Sequence, residues 1–300
     1  MDRLESMRIF IAVAEQSGFA RAARQLALSG PAVTRAVAAL EDRVGTRLLH
    51  RSTRHVRLTE AGARFLADCK RILAEIADAE ASAAGFHAEP RGPLAITAPV
   101  LFGRVYIVPI LLDFLARYPD VTARAMMVDR IVDLMEEGID VAVRIAELPD
   151  SSLSAVRVGS VRRVVCASPD YIAAHGRPRS PEELANFDAI AFSQASGVQE
   201  WTFRAGTKSV AMRPRAQLRA NNSDVAIAAA VAGRGFTQVL SYQIAPELRA
   251  GRLEVVLSEF EPPPVPIHLV HLDGRRAAAR VRGFLDFATE RLRADGTLAS

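Results

Sequence analysis

Phe19-Ala20-Arg21-Ala22-Ala23-Arg24-Gln25-Leu26, a short break, and then Ser29-Gly30-Pro31-Ala32-Val33-Thr34-Arg35-Ala36-Val37-Ala38-Ala39-Leu40-Glu41 decide the reading of this 300-residue chain. Two short helices joined by a tight break outline a helix-turn-helix. Ser29 and Gly30 before Pro31 predict the start of the second helix, because an N-cap oxygen satisfies free amides and proline needs none there. Gly45 predicts its stop. Val33, Val37, Leu40 and Val44 recur every three or four residues as a buried stripe, which leaves Ala32, Thr34, Arg35 and Ala38 on faces that need not pack. Such a face suits a DNA major groove: small residues approach base edges, a hydroxyl meets a base or phosphate, and arginine forks onto guanine O6 and N7. The same pattern also suits a three-helix packing unit with a solvated polar face.

Beyond Gly45, Arg47-Leu48-Leu49-His50-Arg51 and Val56-Arg57-Leu58 predict two short strands around the polar turn Ser52-Thr53-Arg54-His55. That is a wing with arginine at its tip. Arg54 there can enter a narrow minor groove, where negative potential concentrates, while Arg51 and Ser52 are placed to hold phosphates. Residues 1–58 hold ten arginines against five acidic residues, a net of +5, whereas the whole chain carries +4. The excess positive charge therefore sits on the segment proposed to meet phosphates.

Met7-Arg8-Ile9-Phe10, Ser17-Gly18-Phe19, Ala22-Ala23, Leu26, Ser29, Pro31-Ala32-Val33-Thr34-Arg35, Leu40-Glu41, Gly45, Leu48-Leu49, Arg51 and Leu58-Thr59-Glu60-Ala61-Gly62 stand in the order found in LysR-type transcriptional regulators, which this chain resembles. The resemblance covers the amino-terminal domain densely and the rest of the chain more loosely. It implies DNA contacts at Ser29, Pro31, Ala32, Thr34, Arg35, Arg51 and Arg54, with Thr34 keeping the hydroxyl of the serine that many relatives carry. It also implies an allosteric regulator that binds double-stranded DNA at an inverted repeat, answers to a small effector and acts without catalysis or cofactor. RNA polymerase is a further partner on that reading. The competing class is a ligand-binding protein whose basic head coats DNA without sequence preference, as nucleoid proteins do.

Three hundred residues suggest two or three domains, and half of them are apolar, enough for sizeable cores. No apolar run of about eighteen residues occurs, and Asp2, Arg3 and Glu5 open the chain, so neither a membrane span nor a signal peptide is expected and the cytoplasm is the expected compartment. Cys69 and Cys166 are isolated, which argues against a disulfide framework or a zinc site. Gly233-Arg234-Gly235 superficially suggests a phosphate loop, but it lies in helix-to-strand order and reads as a C-cap and turn. With no HExxH, no GxSxG and no nucleophile beside a base, an enzyme is not expected.

From Thr59 to about Phe86 the chain reads as one long helix, with Phe65, Cys69, Ile72, Ile76, Ala79, Ala83 and Phe86 on one seam flanked by Arg64, Lys70, Arg71, Glu75, Asp78 and Glu80. That narrow, heptad-like stripe predicts dimerisation, although a helix packed on its own domain would give it too. In the resembling family this helix pairs two subunits, and dimers usually join into tetramers. The domain reading is a winged helix-turn-helix over 1–58, a linker helix over 59–86 and a hinge over 87–91, where glycine and proline end the helix.

Beyond the hinge, strands at Leu94–Thr97, Val121–Met126 and Val141–Ile145 alternate with helices at Leu101–Tyr118 and Ile131–Glu137. A second run carries strands near Ala189–Phe192 and Phe236–Val239 around a helix at Asp224–Ala232, and a strand Ile267–Val270 with a helix Arg275–Arg293 closes the chain. The alternation predicts α/β, and the whole resembles a two-lobed, periplasmic-binding-like fold. Its lobes would be 92–165 with 267–300, and 166–266, crossed near Cys166-Ala167-Ser168 and again near Pro262–Pro266.

Thr97-Ala98-Pro99-Val100 ends a strand and opens a helix, so its hydroxyl and free amides form a natural anion site that would suit a carboxylate. Asn221-Asn222-Ser223-Asp224 opens a helix of the second lobe in the same way. Ordinary N-caps look identical; the resemblance is what assigns Thr97 and Asn222, with Ser223 beside it, to an effector. Arg144 at a strand end either counters an anion or pairs with Asp129 or Asp133, and Ser193 with Gln194 follows a second-lobe strand toward the cleft.

Overall fold

In the computed structural model, which describes residues 2–51, 56–83, 89–149, 153–192, 200–272 and 277–298, the amino-terminal unit begins with α1 (Arg3–Glu15), α2 (Phe19–Gln25) and α3 (Gly30–Val44). Met7, Phe10, Val13, Ala22, Val33, Val37 and Leu40 share one core. Ala27 turns the chain between α2 and α3 at φ 53°, which brings the Leu28 amide to the Ala23 carbonyl at 2.9 Å. Ser29 caps α3 by accepting the Ala32 amide at 3.3 Å, and Gly45 ends it at φ 74°. Val44 does not complete the buried stripe; past Leu40 the helix runs off the core and Val44 is 40% exposed. β1 (Leu49–Arg51) and β2 (Val56–Leu58) then pair antiparallel, with Leu49 opposite Leu58.

α4 (Glu60–Ala83) starts behind Thr59, whose hydroxyl accepts the Gly62 amide at 2.9 Å. The first half of its apolar seam packs on its own domain: Cys69 lies in the core of the head with Phe65 and Ile72, half-buried, against it, and Phe10 meets Phe65 ring to ring at 5.8 Å. A Lys70–Glu15 ion pair at 2.6 Å fastens the same helix to α1. A seven-residue period cannot separate a partner helix from a neighbouring domain, and here the domain takes the first turns. The seam from Ile76 onward keeps the dimer expectation; Phe86 and hinge residues 87 and 88 lie outside the described residues.

The second unit runs from Leu94 onward, apart from Tyr118–Thr122 and Ala278–Arg280. Its elements are β3 (Gly92–Ala98), α5 (Val100–Phe102), a π-helical turn Gly103–Ile107, α6 (Val108–Arg117), β4 (Val121–Met127), β5 (Val141–Ile145), β6 (Ser154–Val161) and β7 (Arg163–Ala167). There follow α7 (Pro169–His175), β8 (Ala189–Phe192), β9 (Trp201–Ala205), β10 (Lys208–Met212), β11 (Ala216–Ala220), α8 (Ser223–Val231), β12 (Phe236–Leu240), α9 (Ala245–Arg249), β13 (Glu254–Val256), β14 (Val265–His271) and α10 (Ala279–Ala294). One sheet has the order β4-β3-β5-β14-β6 and the other β11-β8-β12-β7-β13. β3 and β5 run parallel, as do β11, β8 and β12, whereas β14 is antiparallel to β5 and β6, and β7 is antiparallel to β12 and β13. The antiparallel pairings fall on the strands through which the chain changes sheets.

Sheet membership moves the first crossing. β6 ends at Val161 in the first sheet and β7 begins at Arg163 in the second, so the chain changes sheets at Arg162 rather than at Cys166-Ala167-Ser168. Cys166 lies inside the second sheet between Thr237 and Val255. The return falls between β13 and β14, beside the expected prolines.

Ile131–Glu137 is not a helix. Asp133 Oδ1 accepts the amides of Met135 and Glu136 at 2.9 and 3.0 Å, and Gly138 at φ 59° reverses the chain so that Ile139 reaches the Leu134 carbonyl at 2.8 Å. Start and stop signals stand so close that only one turn fits between them. After α8, Gly233 at φ 71° lets Arg234 donate to the Ala229 carbonyl at 3.1 Å, the C-cap expected there. Gly235 then passes so near Asp188 that a Cβ would stand 2.3 Å from its carbonyl oxygen.

Candidate nucleic-acid interface and effector site

Along α3, Val33, Ala36, Val37 and Leu40 are buried, while Pro31, Thr34 and Arg35 are exposed and Ala32 is half-buried. The Thr34 hydroxyl donates to the Gly30 carbonyl at 3.0 Å, which spends its hydrogen and leaves its lone pairs outward. Ser29 is exposed beside the amides it caps. In the wing, Arg51 pairs with Val56, and the exposed His50 and Arg57 stand opposite each other. Ser52 and Arg54 lie outside the described residues, as does the side chain of Arg51.

Glu41 carries no role in the sequence reading, yet it is 6% exposed and its Oε1 accepts the amides of Leu48 at 2.9 Å and Leu49 at 3.1 Å. The available signal was an acidic residue directly beside Leu40 on the packed side of an amphipathic helix.

In the second unit, Thr97 is 4% exposed and donates to the Met126 carbonyl at 2.7 Å, which ties the end of β3 to β4. Asp129 Oδ1 accepts the Val100 amide at 3.0 Å, so a carboxylate of the chain itself already takes an amide that opens the helical run. Ala98 is buried and Pro99 forms the corner between them. Asn222 caps α8 by accepting the Asp224 amide at 2.7 Å, and Ser223 is buried beneath it. Arg144, half-buried, donates to the Val132 carbonyl at 2.6 Å rather than standing free at the strand end. Ser193 and Gln194 lie outside the described residues.

Tyr242, which the sequence reading omits, is where groups of the two sheets meet. It follows β12 directly, 5% exposed, with ring centroids 5.4 Å from Phe102 and 6.0 Å from Tyr106. Burial pushes its phenol above the ordinary tyrosine value, and the negative charges of Asp129 and Asp224 push the same way against a hydrogen bond with Gln243. Phe102 and Tyr106, which follow β3, therefore pack against a phenol that follows β12. Its signal was position: parallel strands gather ligand groups at their carboxyl ends.

A winged helix-turn-helix followed by a two-sheet α/β unit defines an effector-responsive DNA-binding regulator. Residues 4–63 match the family described as bacterial regulatory helix-turn-helix protein, lysR family, and residues 87–293 match the LysR substrate binding domain. The chain belongs to the LysR-type transcriptional regulators. A transcriptional regulator of Xanthomonas campestris is 34% identical over 97% of this chain and 86% of its own length. CrgA of Neisseria meningitidis is 31% identical over 96% of each chain. The solved structure of CrgA covers 96% of this chain and 98% of its own with a TM-score of 0.62, and that of AphB, a virulence activator of Vibrio cholerae, is 28% identical over 96% and 99% with a TM-score of 0.61. Regulators of this family bind DNA and small effectors and assemble as oligomers; the chain is a regulator, not an enzyme. No described helix is long and apolar enough to cross a membrane.

Proposed function

We propose that two subunits set their α3 helices into successive major grooves of an inverted repeat, with Pro31, Ala32, Thr34 and Arg35 toward base edges and Ser29 beside a phosphate. Arg51 and Ser52 hold the backbone, and Arg54 enters the flanking minor groove. The observation that carries this reading is the exposure of Thr34 and Arg35 on a helix whose opposite side is buried in the head. The seam of α4 from Ile76 onward pairs the subunits, and pairs of dimers join as tetramers.

The effector is a small carboxylate. It displaces Asp129 from the Val100 amide, with Thr97, Ala98, Pro99 and Arg144 on one side and Asn222, Ser223 and Ser193 on the other. Support comes from Asp129 itself, a carboxylate resting on that amide at 3.0 Å. Exchange of one anion for another gives the two arrangements that an allosteric effector needs, and coupling of about 1–3 kcal/mol would follow from unequal affinity for them. Thr97→Ala tests it: a panel of small carboxylates that raises the melting temperature of the parent should leave the variant unmoved while operator affinity is unchanged. An unchanged response removes Thr97 from the site.

A further inference from the structure

Glu41 organises every step from the recognition helix to the wing. Its carbonyl ends α3 by accepting the amides of Gly45 at 2.9 Å and Thr46 at 3.3 Å, while its carboxylate oxygen accepts those of Leu48 and Leu49 at 2.9 and 3.1 Å. Four amides of the connecting segment thus converge on one residue. Leu49 is the first residue of β1, two before Arg51.

The other side of the same segment is held by the start of α4. The Thr59 amide donates to the Leu48 carbonyl at 3.0 Å, and the Thr59 hydroxyl donates to the Arg47 carbonyl at 2.8 Å. Gly62 lies so close that a Cβ there would stand 1.9 Å from the Leu48 oxygen. Leu48 is therefore fixed through its N–H by α3 and through its C=O by α4. The root of the wing is thus tied by hydrogen bonds to the end of α3 and to the start of α4.

A carboxylate that is 6% exposed is a costly way to satisfy two amides, since burying a charge is unfavourable unless strong hydrogen bonds compensate. What it gives in return is direction: one oxygen that accepts two successive amides fixes the orientation of the backbone between them. We propose that Glu41 is a positioning residue for DNA recognition, setting where the wing arginines fall relative to Thr34 and Arg35 on the same helix. The proposal rests on the reading of Arg51 and Arg54 as DNA contacts.

The test is a double-mutant cycle on the full-length protein with its operator, combining Glu41→Ala and Glu41→Gln with Arg51→Ala/Arg54→Ala and reading both affinity and the footprint at half-sites and flanks. The wing variant alone tests the underlying reading, because it weakens binding only if those arginines touch DNA. Given that loss, Glu41→Ala should weaken binding about as much as the wing variant, tenfold in order of magnitude for contacts of this kind. It should erase protection at the flanks, keep it at the half-sites, and add nothing to the wing variant. Glu41→Gln, which retains an acceptor, should fall between. Equal weakening at half-sites and flanks, with full additivity, would overturn the proposal. If Glu41→Ala does not fold, Glu41→Gln in the two backgrounds decides by the same criterion.

Discussion

Asp129 Oδ1 sits 3.0 Å from the Val100 amide, so an amide expected to seat a foreign carboxylate is held by one from the chain itself. The contact joins the segment after β4 to the helical run that follows β3. Replacing Asp129 with Asn keeps an acceptor but removes the charge. We expect Asp129→Asn to lower effector-domain stability by about 1 kcal/mol, the scale of a lost capping interaction. The same variant should bind the carboxylate that shifts the parent more tightly, because the competitor has weakened. Weaker binding, in isothermal titration of both proteins, would place the carboxylate elsewhere.

Both thiols are buried. Burial pushes Cys166 up to about 12, and burial followed by the charge of Asp68 pushes Cys69 up to about 11. Thiolate is the reactive form, so both side chains should react slowly in the native protein. At pH 8 a disulfide reagent should label neither cysteine in the native protein and both in denaturant. Prompt native labelling would contradict this.

Arg162, at the first crossing between sheets, meets Glu261 near the second with Nη1 3.1 Å from Oε1. Burial nevertheless raises the Glu261 carboxyl above its ordinary value of 4.5, outweighing the pull of Arg162. The folded state then holds this proton more tightly than the unfolded chain, so the group favours folding at low pH, and that contribution is lost as pH rises through the folded-state value. Glu261→Gln should therefore gain stability relative to the parent as pH increases above 4.5, measured by urea unfolding at a series of pH values. A difference that stays constant with pH would contradict the assignment.

Ser17 at φ 47° and Ala27 at φ 53° both hold left-handed backbone in the head, and Gly62 tolerates no side chain. Ala27 holds φ 53°, where a Cβ costs about 1–2 kcal/mol and glycine about 0.5–1 kcal/mol of unfolded-state entropy. Ala27→Gly should stabilise the protein by up to about 1 kcal/mol. Gly62→Ala should do the opposite, costing at least about 2 kcal/mol, because its Cβ would meet backbone that cannot yield. Thermal melts of the two variants that shift in the same direction would contradict this account of the turn and of the wing root.

How legible each part was follows from where the deciding forces lie. The head was readable because caps, glycines and apolar spacing act within a few residues, as Ser29, Pro31 and Gly45 do around α3. The Ile131–Glu137 turn was misread because Asp133 and Gly138 each signal a helix end, and only their spacing reveals that no helix fits between. Phe65, Cys69 and Ile72 show the limit of periodicity, which marks a buried face without naming what buries it. The hairpin of β9 and β10 went unassigned although Gly206 at φ 60° turns it and Trp201 and Phe203 alternate inward. Tyr242 meets its partners across sheets, and Glu41 reaches past the end of its helix to amides seven and eight residues on, which helical spacing does not mark.

A footprint of the purified protein on the DNA immediately upstream of its own gene tests the central claim most directly. The account predicts two protected half-sites about one or two helical turns apart, related by a two-fold axis, with the wing protecting the outer flanks. Uniform, salt-sensitive coating with no protected half-sites, there and in selection from a genomic library, would contradict it.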